Sequence, residues 1–179
     1  MKDRLHLHLH TQPQSNTGID LLALSNKLGI QENVSFSYGG WRSSGWSEEA
    51  LCRLYNLSNV GVIASSSEGF GLPILESMVC GKPVIATDCT SMTELIGTDQ
   101  PIKTTNQRGL LAKIGDSDLI SADITRQLVD ISDLSSKMKD IYTNKELRKK
   151  CSENCLEFAK PYTWNQIALK WDKLIREMK

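Results

Sequence analysis

The residues best suited to chemistry lie in one short stretch, SSSEGFGLPILE, at residues 65–76. Gly69 and Gly71 allow a tight turn and a close approach of the backbone to a ligand, because glycine has no side chain to obstruct either. Pro73 predicts that a helix begins here, since proline suits the first helical position, where an N–H would lack a partner. The remaining N–H groups and the positive end of the helix dipole would then bind a phosphate group.

Two carboxylates stand on either side of this turn. Glu68 comes just before the glycines, beyond the end of a strand, which is where ligands bind in open α/β sheets. Glu76 comes one turn into the helix, where a carboxylate can accept hydrogen bonds from both hydroxyls of a ribose. The turn and its two carboxylates predict a site for a nucleotide diphosphate that carries a further group.

The elements that must position this stretch alternate between strand and helix. Strand-like runs cover residues 5–10, 33–38, 60–64, 83–87 and 109–114. Helix-like segments follow the first four runs at residues 19–28, from Ser47 onward, at 73–80 and at 91–96. The alternation predicts a doubly wound α/β fold, with a parallel sheet flanked by helices. From about residue 123 the pattern becomes helical, and we expect helices at residues 124–141, 144–160 and 164–178.

The last of these helices carries a broad apolar stripe. Its apolar residues recur at helical spacing, namely Trp164, Ile167, Ala168, Trp171, Leu174, Ile175 and Met178. We expect a nucleotide-binding domain at residues 1–160 and an amphipathic C-terminal helix at residues 161–179. The stripe would pack on that domain or, alternatively, on a partner or a missing domain.

The overall composition excludes several classes of protein. Lysine and arginine number 21 and so do aspartate and glutamate, which leaves no overall field to attract nucleic acid. No apolar run approaches the roughly 18 residues of a membrane span, and the start MKDRLHLHLH lacks the apolar core of a signal peptide. Five scattered cysteines without a CxxC pair favour reduced thiols over a disulfide or zinc framework. We therefore expect a soluble cytoplasmic protein.

The same stretch carries a family resemblance. Glu68 and Glu76 are separated by seven residues, and the segments LYNLSNVGVIASS, CGKPVIATD, TELIG and GLLAKIGDSD surround them in order. This pattern resembles the E-x7-E signature of retaining glycosyltransferases of the family 4 type, also described as glycosyl transferases group 1. It continues through NKELRKKCSENCLEFAKPYTWNQIALKW and covers roughly residues 5–178. That family has the GT-B fold of two Rossmann-like domains, and its second domain binds most of the sugar-nucleotide.

The resemblance implies a role for each residue of the motif. Glu68 would be the catalytic residue beside the donor sugar, and Glu76 would hold the ribose. Backbone contacts to the sugar and the diphosphate would come from Gly69, Phe70, Gly71 and Leu72. The nucleobase or another part of the ligand would lie near Tyr38, Gly39 and His10. The donor would be a UDP- or GDP-sugar, transferred with retention at the anomeric carbon and without a bound metal or other cofactor.

Two departures from the family pattern limit what the chain would do alone. In the family, an Arg and a Lys neutralise the leaving diphosphate, and both come from a first strand and helix that precede the segment matching residues 5–10. The family's acceptor-binding domain lies before that strand and helix. Lys82, Lys103 and Arg108 have no motif support as substitutes. We therefore expect an incomplete enzyme that is inactive by itself. Its partner would be an N-terminal acceptor domain or chain. Its membrane contact would be at most peripheral, at the cytoplasmic face. The second departure is Thr90–Ser91, where the family often has paired glycines.

Other interpretations of these residues remain open. Gly69, Gly71 and Asp88 imitate a dinucleotide-binding fingerprint, although Ile74 occupies its third glycine position. A second alternative is a non-catalytic interaction module that keeps the nucleotide-binding fold.

Three smaller features have a chemical and a structural interpretation. The sequence Asp116-Ser-Asp118 resembles a metal-binding DxD, but we expect these aspartates to form a turn and cap a helix. His6 and His8 share a strand face with His10 and would bind zinc or form a half-buried polar face packed against a helix. Two loop tryptophans, Trp41 and Trp46, would stack on a ligand or fix their loop to the body of the domain.

Overall fold

Parallel strands joined by helices recur along the chain, which divides into two compact units, Met1–Ala50 and Leu51–Lys179. The structure is a computed structural model that describes residues 5–14, 18–37, 45–97, 106–121 and 124–178.

The first unit contains two short parallel strands and the helix that connects them. Strand β1 (Leu7–Leu9) pairs with β2 (Val34–Phe36) in the register Leu7 to Val34. Helix α1 (Leu21–Lys27) begins after Asp20, whose carboxylate accepts the N–H of Ala23 at 2.9 Å. This is the strand, helix and strand order expected from the sequence, with a short 3-10 turn before β2.

The second unit contains a three-stranded parallel sheet in the order β3, β4, β5. These strands are Gly61–Ile63, Val84–Thr87 and Gly109–Ala112. A Cβ at Gly109 would lie 1.9 Å from the carbonyl oxygen of Val84, so only glycine permits this approach of β5 to β4. Helix α2 (Glu48–Leu57) precedes β3, α3 (Leu72–Val79) links β3 to β4, and α4 (Ser91–Ile96) follows β4.

Both faces of β4 are buried, as expected for a central parallel strand. On one face, Val84 and Ala86 pack with residues of α3, α4 and a later helix, including Ile74, Met78, Met92, Leu95, Ile96 and Cys155. On the other face, Ile85 packs with Ala112 and Ile141. The strand therefore lies between two helical layers, and the predicted α/β class with a parallel sheet flanked by helices is confirmed.

An antiparallel hairpin follows the sheet, and the sequence prediction was wrong here. Strand β6 (Ile114–Ser121) pairs with β7 (Ile124–Val129), where we expected a helix from residue 124. Helix α5 (Ile131–Thr143) begins only after Asp130, whose carboxylate accepts the N–H of Asp133 at 2.6 Å. The β-branched residues of β7 fit a pleated ladder, and pairing with β6 prevails over the helical spacing of the apolar residues.

Three helices complete the second unit. After α5 come α6 (Lys145–Ala159), capped by Asn144, and α7 (Trp164–Glu177), capped by Thr163.

Cys151 and Cys155 are buried on α6, and burial raises the pKa of these thiols to about 11 and about 12. Within the residues that the structure covers, no helix has the length and apolar character to cross a bilayer.

The apolar stripe of α7 is largely exposed. Ile167 is half-buried, whereas Trp164 and Trp171 are 90% and 60% exposed. The exposed set also includes Ala168, Leu174, Ile175 and Met178. What covers the stripe therefore stays a prediction.

Candidate functional site

The loop between β3 and α3 ends in a left-handed residue at the helix start. Gly71 caps α3 in the left-handed conformation, at φ +89° and ψ +51°, and its carbonyl accepts the N–H of Ile74 at 2.9 Å. The helix begins at Leu72, so Pro73 occupies the second helical position and not the first position that was expected. The first N–H groups of a helix have no partner within it, so Leu72 presents an N–H at the positive end of α3.

The main chain of Glu68 is held by the turn that follows β4. Its N–H donates to the Thr90 hydroxyl at 3.1 Å, and its carbonyl accepts from the Ser91 hydroxyl at 2.9 Å. Two residues earlier, the Ser66 carbonyl accepts a weak bond from the Cys89 thiol at 3.4 Å. Because β3 and β4 are parallel, their carboxyl ends meet at one edge of the sheet, which brings these two turns together.

Glu76 projects from α3 and is joined to α2 by Tyr55. The Tyr55 hydroxyl donates to the Glu76 carboxylate at 2.8 Å. Burial, and then the hydrogen bond and charge of Glu76, raise the pKa of Tyr55 well above its ordinary value, so the hydroxyl stays protonated near neutral pH. The carboxylate is exposed and has two oxygens with about four lone-pair directions, which leaves room for further donors.

The exposed Phe70 side chain belongs to an aromatic cluster. Its ring lies 6.3 Å from that of Tyr162, which lies 5.2 Å from Phe158. Tyr162 follows α6, so the end of α6 helps to hold the tip of the glycine loop. Gly69 and Leu72 are exposed beside it.

Two basic side chains that would neutralise a diphosphate instead bond to backbone carbonyls. Lys82 donates to the Asn56 carbonyl at 3.1 Å near the end of α2. Arg108 donates to the carbonyls of Leu95 and Glu94 at 2.6 and 2.8 Å, and its guanidinium lies 4.0 Å from the centre of the Phe158 ring. Both side chains cap helix ends. Lys103 lies outside the described residues.

The three histidines of the first unit form a hydrogen-bonded ladder with two serines of β2 and its end. Ser35 bridges His6 and His8 at 2.8 Å each, and Ser37 bridges His8 and His10 at 2.8 and 2.7 Å. The three imidazoles form a polar face that is largely exposed, not the half-buried face packed against a helix that was expected. His10 also contacts the Trp46 ring at 5.0 Å. Tyr38 and Gly39, with Trp41, lie outside the described residues.

The metal-binding alternatives concern the histidines and the DxD aspartates. Within the described ranges, no group of three or more histidine, cysteine, aspartate or glutamate residues is arranged to hold a metal ion. Asp116 and Asp118 lie within β6, so the expectation that they form a turn and cap a helix was wrong. Asp118 pairs with Arg126 of β7, and Asp116 lies at the irregularity between the pairs of Ile114 and Ser117.

Three contacts that support these residues were not predicted from the sequence: Tyr55 on Glu76, the Thr90–Ser91 bonds to Glu68, and Tyr162 on Phe70. These partners are 21 to 23 residues apart or lie at the far end of the chain. No local periodicity signals such contacts. The departure from paired glycines at Thr90–Ser91 was the only hint.

Comparison with known proteins shows which family the sequence matches. A family model described as "Glycosyl transferases group 1" matches residues 20–130, more than half of the chain. An uncharacterized glycosyltransferase of Methanocaldococcus jannaschii is 32% identical over 117 residues, which are 65% of this chain and 27% of that protein.

Solved structures show the same architecture. Sucrose-phosphate synthase of Thermosynechococcus elongatus matches with a TM-score of 0.70 at 23% identity, over 98% of this chain and 38% of that one. The Anabaena protein HepE, solved in complex with UDP and glucose, matches with a TM-score of 0.65 at 18% identity, over 88% and 36%. At these identities the likeness shows the fold alone, which is that of GT-B glycosyltransferases. The chain spans less than two fifths of the length of each of these proteins.

Proposed function

Because this chain belongs to the glycosyl transferases group 1 family, we propose that it is the donor-binding part of a retaining glycosyltransferase of the family 4 type. The substrate is a nucleotide-diphosphate sugar, and the sugar is transferred with retention at the anomeric carbon. The observation that carries the proposal is the left-handed Gly71 at the start of α3, directly between Glu68 and Glu76.

Each part of the site has a distinct task in this proposal. The Leu72 N–H and the dipole of α3 bind the diphosphate, where charge develops as the sugar leaves. Glu76 accepts hydrogen bonds from the ribose hydroxyls, and Tyr55 fixes the direction of its carboxylate. Glu68 faces the donor sugar, binds its hydroxyls and stabilises positive charge at the anomeric carbon.

The reaction needs further groups beyond those described. Lys82 and Arg108 cap helices, so the basic side chains that neutralise the leaving diphosphate would come from another segment or chain, as would the acceptor site. The reaction is proposed to use no metal or cofactor, and the cytoplasmic location also stays a proposal. HepE was solved with UDP and glucose, which makes UDP the first nucleotide to test.

Calorimetry with UDP, GDP and ADP tests the proposal. We expect the chain to bind one of them and Glu76→Ala to weaken that binding by at least about tenfold, because hydrogen bonds to a charged group contribute about 1.5–3 kcal/mol each. Tyr55→Phe keeps the carboxylate and should cost less, about two- to tenfold. Glu153→Ala is the matched control, because Glu153 is an exposed carboxylate on α6 that pairs only weakly with Lys149 at 3.9 Å.

The other results distinguish the alternatives. Absence of binding for all three nucleotides would contradict the donor-binding function and favour a non-catalytic interaction module. Binding of NADH without UDP or GDP would favour a dinucleotide-binding domain. Equal binding by wild type and Glu76→Ala would remove Glu76 from the site.

A further inference from the structure

The turn after β4 holds Glu68 through side-chain hydroxyls. The Thr90 hydroxyl accepts the Glu68 N–H at 3.1 Å, and the Ser91 hydroxyl donates to the Glu68 carbonyl at 2.9 Å. The N–H and the carbonyl of Glu68 are thus each bonded by one of two successive residues in the turn after β4. With its N–H and carbonyl fixed, the backbone of Glu68 has little freedom to rotate, and its side chain leaves the main chain in one direction.

Thr90 makes its bond from an unfavourable backbone conformation. Its φ is +50° and its ψ is −143°, and it is the only residue other than glycine with positive φ in the part of the chain that the structure describes. A β-branched residue is a genuine outlier in this region. The Thr93 hydroxyl donates to the Thr90 carbonyl at 2.8 Å and helps to fix the conformation.

The fold itself has little need of this arrangement. Thr90 is exposed, so water could replace its hydroxyl as the partner of the Glu68 N–H. Glycine would adopt the same φ without strain. Strained residues of this kind concentrate at functional sites, where the surrounding structure maintains the strain. The residue whose position depends on Thr90 is Glu68, which stands beside the glycine turn.

We propose that Thr90 and Ser91 are positioning residues that direct Glu68 toward the donor sugar and so determine affinity for the sugar part of the donor rather than for the nucleotide. The inference rests on the proposed function, in which Glu76 holds the ribose and Glu68 faces the sugar. Thr90 and Ser91 act through the backbone of Glu68 and need not touch the donor.

Three variants separate the hydroxyl from the shape of residue 90. Thr90→Val keeps the branched shape and removes the hydroxyl, Thr90→Ser keeps the hydroxyl, and Ser91→Ala removes the second bond. Thr143→Val is the matched control, since the Thr143 hydroxyl donates to the Lys139 carbonyl at 2.9 Å on α5. For each protein we would measure the amide exchange of Glu68 by NMR, and the affinities for UDP, UDP-glucose, GDP and GDP-mannose.

We expect Thr90→Val and Ser91→Ala to speed the amide exchange of Glu68 or Gly69. Their affinity for the nucleotide-sugar should fall about three- to tenfold, the effect of one ordinary hydrogen bond, while affinity for the bare nucleotide stays within about twofold. Thr90→Ser and Thr143→Val should behave like the wild type in both measurements.

Contrary results identify which idea has failed. Unchanged exchange at Glu68 and Gly69 in Thr90→Val would overturn the inference, as would equal weakening of nucleotide and nucleotide-sugar binding. Unchanged nucleotide-sugar affinity in both hydroxyl-deleting variants would also overturn it. A wild-type chain that binds no nucleotide would overturn the proposed function, and the assignment of Glu68 to a sugar would fail with it.

Discussion

Gly71 combines two requirements that only glycine meets. Its φ of +89° is rare for residues with a side chain, and a Cβ there would lie 3.1 Å from the Ile74 Cδ1 and 3.2 Å from the Leu95 Cδ1. Gly69 differs, because a Cβ would meet no atom within 4 Å. The two glycines of the motif therefore have different tasks: Gly71 shapes the helix start, and Gly69 leaves open space above the loop.

Exchange of each glycine for alanine tests this difference. Gly71→Ala should lower the free energy of unfolding by about 1–3 kcal/mol, because it adds strain at positive φ and crowds two buried side chains. Gly69→Ala should change it by less than about 0.5 kcal/mol. Urea unfolding monitored by circular dichroism measures both. An equal loss in the two variants would contradict the assignment.

The motif made Glu68, Gly71 and Glu76 predictable, because their types and spacing lie within nine consecutive residues. Tyr55 and Thr90 were not predictable as their partners. A hydrogen bond between residues more than 20 positions apart leaves no periodic signal, and tyrosine and threonine occur in many surroundings. The roles of these three residues therefore stay predictions, and the contacts around them could not be predicted from the sequence.

At the scale of elements, the β1–β2 pair is distinguished by its histidine and serine ladder. Partial burial, and then the charges of His10 and His6, lower the pKa of His8 from its ordinary value of 6.5. The unfolded chain therefore binds a proton at this residue more readily than the folded chain does. The stabilisation from neutral His8 is complete above about pH 6.5 and is lost as the pH falls toward the lowered pKa.

We expect the first unit to lose stability between pH 6.5 and the lowered pKa of His8. Asparagine in His8→Asn can donate and accept hydrogen bonds between Ser35 and Ser37, but it does not titrate. The variant should therefore show a weaker pH dependence in this window. Amide exchange of Val34–Phe36 at several pH values measures the effect locally. Parallel curves for wild type and variant would rule His8 out as the source.

Sequence patterns predicted the parallel strands and their helices, because each β-α step carries its own signals. Ser47 caps α2 as its type suggests, and Gly81 follows the end of α3 at positive φ. The hairpin was not predictable in the same way. Strand β7 depends on pairing with β6, and Gly115 permits that approach, since a Cβ there would lie 3.0 Å from the Asp130 Cα. Pairing of this kind depends on a second segment that local periodicity does not report.

At the scale of the whole molecule, the chain corresponds to a minor part of its relatives. It spans 27% of the Methanocaldococcus glycosyltransferase and 38% of the sucrose-phosphate synthase. In the proposed function the site at α3 binds the nucleotide-sugar, but transfer also needs an acceptor and positive charge at the leaving diphosphate. We therefore expect nucleotide binding by this chain without transfer of the sugar.

We expect residues 1–179, taken alone, to bind a nucleotide and to transfer little or no sugar. The measurement is release of UDP or GDP from a panel of UDP- and GDP-sugars with simple acceptors, using Glu68→Gln as the inactive reference. Robust transfer above that reference would show that these residues contain a complete active site.

The exposed tryptophans of α7 give the chain a fluorescence that depends on what the helix contacts. Trp164 and Trp171 are 90% and 60% exposed, and indole rings in water emit at longer wavelengths than indole rings in an apolar contact. Any surface that covers this side of α7 will shift their emission toward the blue. The native chain thus contains its own fluorescent reporter of what its last helix contacts.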